Sequence, residues 1–265
     1  MIVLYMRLIG ARVRAQMQYK ISFWLELLSF GLVTGLEFVV VLILFARFPT
    51  VAGWRLPEIA LLYGFTSTAL GLAEMIGRGF DAPFEAMMQA GAFDTVLTRP
   101  LSSFFQILAS EFQLRRLGRA TQGLAVLGFA LSQLSIRWNV AKIALLPLTL
   151  LSGTLIYLAL FVIGAAICFW TIKTPEVVNI FTFGGDFMVS YPISIYNGVI
   201  RTVFSTVVPL AFINYPAALT LLDRVDPHGF PAQLAWVAPL VASLFFAVAL
   251  RYWRFGVSKY TSTGS

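Results

Sequence analysis

Glu26, Glu37, Glu74 and Asp186 stand inside long apolar segments of this chain. A carboxylate in hydrocarbon is costly. It is retained where it pairs with a base, lines a path for solutes or holds a cation. Glu37 falls well inside one apolar segment, and Asp186 follows Gly184-Gly185 near the middle of another. Glu26 and Glu74 lie nearer segment ends, where snorkelling or pairing costs less. Glu37 and Asp186, with Tyr191 and Tyr196 just beyond, are the candidate lining of a substrate pathway, and a cationic or amphipathic substrate suits two acids. Structural pairing with arginine or backbone groups explains the same acids equally well.

Other chemistries find little support. The only histidine, His228, sits between Pro227 and Gly229 and reads as a surface turn residue. The only cysteine, Cys168, has no intrachain disulfide partner and makes no thiol metal site. No His/Cys cluster suggests a metal, and no G-x-S-x-G elbow suggests a serine hydrolase. No G-x-x-x-x-G-K-[ST] loop is present, so the chain itself is not expected to hydrolyse ATP or to carry a cofactor.

A second group of candidates lies between Gly77 and Arg116. Asp81 can cap a helix with Pro83 in its first turn, and Gly91 can end it, which predicts a short helix over 82–90. Its spacing puts Phe84, Met87 and Met88 on one face. A soft aromatic knob of this kind suits insertion into another protein's groove, and lying flat on the bilayer is the rival reading. The string Gly91-Ala92-Phe93-Asp94-Thr95-Val96-Leu97-Thr98-Arg99-Pro100-Leu101 follows it directly. Asp94 and Arg99 there are expected to pair with each other, contact a partner or remain solvated.

The elements that must position these residues are helices. The chain is 59% hydrophobic and 12% charged over 265 residues. Six apolar segments approach the roughly 20 residues needed to cross a bilayer: Ile21–Phe45, Pro57–Ile76, Leu117–Ile136, Ala144–Trp170, Val177–Val199 and Leu234–Leu250. Short polar gaps separate them. One side would carry Arg7, Arg12, Arg14, Lys20, Arg78, Arg99, Arg115, Arg116, Arg119, Lys173, Arg251, Arg254 and Lys259. The other would carry only Arg47, Arg55, Arg137, Lys142, Arg201 and Arg224. Positive loops stay inside, so both termini and the 78–116 loop are expected in the cytosol of a multi-pass inner-membrane protein. The net charge of +7 is then topological and no sign of nucleic acid.

Residues 1–20 place Ile2, Met6, Ile9, Val13 and Met17 on one helical face, with Arg7, Arg14 and Gln18 opposite, as in a helix lying in the inner interface. Gly31 and Gly35 have the small-xxx-small spacing of a close helix contact. Thr174-Pro175 separates the fourth span from the fifth. Residues 202–222 are apolar but too short to cross, and Asn214, Tyr215 and Pro216 interrupt them. They read as a re-entrant outer pair, with Pro209, Asn214 and Pro216 as candidate gate residues. The expected fold is all-α, one six-span transmembrane domain over 1–265.

The G-x-F-D-x-x-L-x-R-P-L string resembles the cytosolic loop of type-2 ABC exporter permeases, in the branch once described only as a domain of unknown function. The basic N-terminal helix, the broken hairpin, the stretch from Tyr191 to Tyr196 and the short tail from Tyr260 agree with it. The resemblance implies an exporter subunit that pairs with a second permease, the same or a related chain. It also implies two separate P-loop ATPase subunits, which would bind the ATP and Mg. Phe84, Met87, Met88, Phe93, Asp94 and Arg99 would be the coupling residues. An ion-coupled secondary transporter or channel is the alternative.

Overall fold

The structure is a computed structural model and describes residues 2–172 and 176–261; the side chains of 2–6, 8, 176 and 177 are left aside. The expected roles of Ile2, Met6, Lys173, Thr174-Pro175 and the end of the tail lie outside what is described. Among the described residues there is no strand, and the helices follow in order.

Helix α1 spans Ile2–Met17 and α2 spans Lys20–Arg47; α3 follows at Leu56–Gly77. Three short helices fill the loop after it: α4 (Ala82–Gln89), α5 (Asp94–Leu97) and α6 (Ser103–Ser110). Next come α7 (Leu117–Gln133) and α8 (Val140–Thr171). The chain continues through α9 (Glu176–Asn179), a π turn at Ile180–Gly184 and α10 (Gly185–Val189). Then come α11 (Gly198–Thr202), a second π turn at Val203–Val207 and α12 (Tyr215–Leu221). The long α13 (Ala238–Lys259) closes the fold.

Four stretches are long and apolar enough to cross a membrane: α2, the Leu56–Gln89 run that contains α3, α8 and α13. Backbone polar groups in lipid must pair within their own segment, which is why such apolar runs become helices. Helix α7 has 17 residues. The expected fifth span over 177–199 is corrected. Its helix stops at Val189, where Ser190 and Pro192 interrupt it, and a separate short helix begins at Gly198. Helix α8 starts at Val140, earlier than expected, because the Asn139 side chain accepts from the Lys142 amide at 2.8 Å.

Small residues set the tightest contacts. A methyl at Gly118 of α7 would lie 2.1 Å from the Leu27 carbonyl oxygen of α2, and one at Gly71 of α3 would lie 2.7 Å from the Ala120 nitrogen. Gly31 packs on Gly118, but Gly35 has nothing within 4 Å, so only half of the expected glycine pair is an interface.

The second part of the 202–222 segment is buried in the body: Pro209 to Leu219 are all buried, whereas Thr202, Thr206 and Val207 are exposed. Irregular backbone at this depth requires protein cover and polar anchors. The Asn214 amide supplies them, donating to the Leu62 carbonyl and the Thr66 hydroxyl of α3 and to the Val189 carbonyl of α10.

Candidate functional site

Two constellations emerge, one in the α4–α6 loop and one between the long helices. In the first, Pro83 sits in the opening turn of α4. Asp81 does not cap that turn through its side chain but pairs with Arg78. The helix ends as read. Gly91 has φ +63°, its amide donates to the Met88 carbonyl, and the Ala92 amide donates to the Met87 carbonyl. This is a Schellman ending, which satisfies the last carbonyls and suits a residue without Cβ.

The orientation of α4 differs from expectation. Phe84 and Phe93 are fully buried and Met88 nearly so, so the outward knob does not exist. The apolar face turns onto the chain's own core. The Phe84 ring lies 5.6 Å from Phe93, 5.6 Å from Phe169 at the end of α8, and 5.2 Å from Trp253 of α13. Phe93 meets Tyr260 at 5.1 Å, and Phe80 meets Trp253 at 5.2 Å. Edge-to-face rings of this kind pack densely and resist sliding. What remains accessible is a mostly polar face: Met87 and Asp94 are half-buried, and Gln89, Thr95, Leu97 and Arg99 are exposed. Gly256 makes room for Phe169, since a methyl there would lie 2.4 Å from that ring.

The second constellation collects every acid singled out in the apolar segments, and each is met by an arginine from one short stretch. Arg115 binds Glu26 at 3.0 Å, and Arg116 binds Glu74 at 3.3 Å. Arg119 binds both Asp186, at 2.9 Å, and Glu37, at 3.4 Å. The Tyr157 hydroxyl of α8 donates to Asp186 at 3.1 Å. Four helices (α2, α7, α8 and α10) thus meet at one guanidinium. Asp186 is buried, whereas the Glu37 side chain is 41% exposed. One cation shared by two carboxylates leaves acceptor capacity, and Glu37 is the member that can offer it outward.

Tyr191 and Tyr196 are not part of this cluster. Tyr191 lies against Phe187, and the Tyr196 hydroxyl donates to the Met188 carbonyl at 2.9 Å. They pack the exit of α10. Pro209, Asn214 and Pro216 are buried, with Asn214 as the anchor described above. Beside them Lys142 donates to the Leu221 carbonyl at 3.0 Å and to Asp223 at 2.8 Å.

Sequence reasoning missed Arg119, Tyr157, Phe169 and Trp253. Arg119 was counted with the loop charges, yet it lies inside α7. Its spacing of four from Arg115 puts both on one helical face, which was the available signal.

The family described as ABC-2 family transporter protein matches residues 32–264, all but the first 31 residues and the last. No curated protein and no solved structure gives a match. The chain belongs to the ABC-2 transporter family: it is a multi-pass membrane transport subunit, of a kind that associates with ATP-binding partner subunits.

Proposed function

We propose that this ABC-2 family member is the permease of an ATP-driven exporter, with six crossings, both termini in the cytosol, and α1 lying in the inner interface. The α7 helix and the broken run from α9 through α11 supply the two crossings beyond the four long stretches. A second permease, the same chain or a related one, completes the path. Separate ATPase subunits bind ATP and Mg and grip the 78–116 loop.

The observation that carries this reading is the ring lock under α4. A loop whose only role was to connect α3 to α7 needs no such anchorage. Here Phe84 and Phe93 fasten it to Phe169 and Trp253, so a push on its outer face must move α8 and α13 together. Phe84, Met88 and Phe93 act as the inner side of the coupling element. Met87, Asp94 and Arg99, with Gln89 and Thr95, form the side that a motor protein touches. ATP-driven closure of the motors then biases a rigid-body change between inward-facing and outward-facing states.

Glu37 supports a shared path. A half-exposed carboxylate in the middle of a crossing helix is costly against lipid, so its face of α2 belongs against a partner permease or the substrate route. A small or amphipathic substrate with a cationic group suits it. The ion-coupled alternative is weakened by the same geometry, because Asp186 already has its countercharge in Arg119.

The test is a photo-cross-linking residue at Gln89 and, separately, at Trp236 near the opposite end of α13. In native membranes the Gln89 position should capture a P-loop ATPase and the Trp236 position should not. Capture from Trp236 alone, or from neither position, would overturn the coupling assignment.

A further inference from the structure

A groove of about 500 Å³ runs between α6 and the last turns of α13, lined by none of the residues of the Arg119 cluster. We propose that it holds one anionic glycerophospholipid, its phosphate at Arg254 and its acyl chains along Phe105, Leu108, Phe246 and Leu250. Placing this lipid in the inner leaflet rests on the orientation proposed above; the binding itself does not.

The groove has a polar end and an apolar end. The Trp253 indole donates to the Ser103 hydroxyl at 3.4 Å, which sets Ser102 and Ser103 level with Arg254. Phe246 lies eight residues earlier on α13, about 12 Å away along the helix. The lining between is Leu250, Leu108 and the exposed ring of Phe105. Among the described residues, Arg254 forms no ion pair, and neither serine hydroxyl donates to a protein acceptor. No acidic residue lines the groove. One cation and two hydroxyl donors at the charged end of an apolar trough match the phosphodiester of a lipid, with its two chains pointing toward the bilayer centre.

Charge complementarity favours a lipid over a protein helix. The groove's own apolar end is lined by Leu108, Phe246, Leu250 and the exposed ring of Phe105, a surface suited to acyl chains.

The test uses the full chain in nanodiscs of phosphatidylglycerol or phosphatidylcholine. Detergent extraction follows, and retained lipid is counted by native mass spectrometry. One phosphatidylglycerol per chain should survive extraction, and phosphatidylcholine should not. Arg254→Gln should lower that retention about fivefold, the effect of one surface cation. Leu250→Trp, which fills the trough, should abolish it while the protein stays monodisperse. Equal retention of the two lipids, or no change in either variant, overturns the site. So does a protein adduct, with no lipid adduct, from a photo-cross-linker at Phe105 in native membranes. Labelling a cysteine placed at Lys259 from each side of the membrane tests the leaflet separately.

Discussion

Deleting the Arg119 guanidinium should destabilise this protein more than deleting any one of its acids. Arg119 and Asp186 are 2.9 Å apart and each side chain is only 11% exposed. Removing one partner of such a buried pair costs about 3–5 kcal/mol, because the other charge is left without compensation. In Arg119→Met, Asp186 would keep only the Tyr157 hydroxyl as a donor. Glu37 behaves differently. Its bond to Arg119 is 3.4 Å and its side chain is 41% exposed, so Glu37→Gln should cost only about 0–1 kcal/mol. Asp186→Asn should fall between these, since Arg119 keeps Glu37. The double variant Arg119→Met/Asp186→Asn removes both buried charges and should recover a large part of the single-variant loss. The assay is the thermal midpoint of detergent-solubilised protein followed by gel filtration. A loss of 3–5 kcal/mol corresponds there to a drop of roughly 6–20 °C for a chain of this size. If Arg119→Met melts within about 2 °C of the parent, a shift worth under 1 kcal/mol, or if the double variant is no better than the single, the buried-pair reasoning fails.

Three further outcomes follow from the same contacts. Phe84→Ala removes the ring between Phe93, Phe169 and Trp253; it should cost about 3–5 kcal/mol, as buried aromatic truncations do, and abolish substrate-stimulated ATPase activity of the reconstituted complex, with Phe84→Leu milder on both counts. Gly118→Ala pushes a methyl to 2.1 Å from the Leu27 carbonyl oxygen and should lower expression of folded protein, whereas Gly35→Ala, with nothing within 4 Å, should be neutral or raise the midpoint slightly, as helix propensity alone dictates. Lys142→Met strips the Leu221 carbonyl and Asp223 of their shared donor, so the 222–231 loop should be cut severalfold faster in limited proteolysis while the midpoint moves little.

The crossings were legible where hydrophobic length alone decides the structure. Lipid forces each apolar run to satisfy its own backbone, and α2, α3 and α8 follow their expected spans within a few residues. That argument fails where protein, not lipid, covers the chain. Composition cannot tell one continuous helix from two short helices in series, so the stretch after Val189 was read as continuous although Ser190 and Pro192 end its helix. Gly91 was readable because a positive φ at a helix end leaves a mark in residue type. The direction of the apolar face of α4 left no such mark, since Phe84 fits a partner's groove and the chain's own core equally well. What decides it are Phe169 and Trp253, far away in sequence.

The same limit explains the acids and shows how force can travel. Each was recognisable as a candidate for pairing, but the choice of Arg119 depended on the register of α7 within its apolar run. Once that register is known, the joints of the bundle differ in kind. The loop is fixed to α8 and α13 by rings in dense contact. Helix α2, by contrast, is the least covered of the four long stretches and is held to α7 by Glu37–Arg119 and the Gly31–Gly118 contact, and to the turn just before α7 by Glu26–Arg115. The Arg116 guanidinium also lies 4.3 Å over its Phe30 ring, the Phe38 and Tyr63 rings are 5.1 Å apart, and the Tyr63 hydroxyl donates to its Thr34 carbonyl at 2.8 Å. A displacement entering at α4 therefore reaches α8 and α13 directly. It reaches α2 through looser ties, among them the Arg119 guanidinium that Glu37 shares with Asp186.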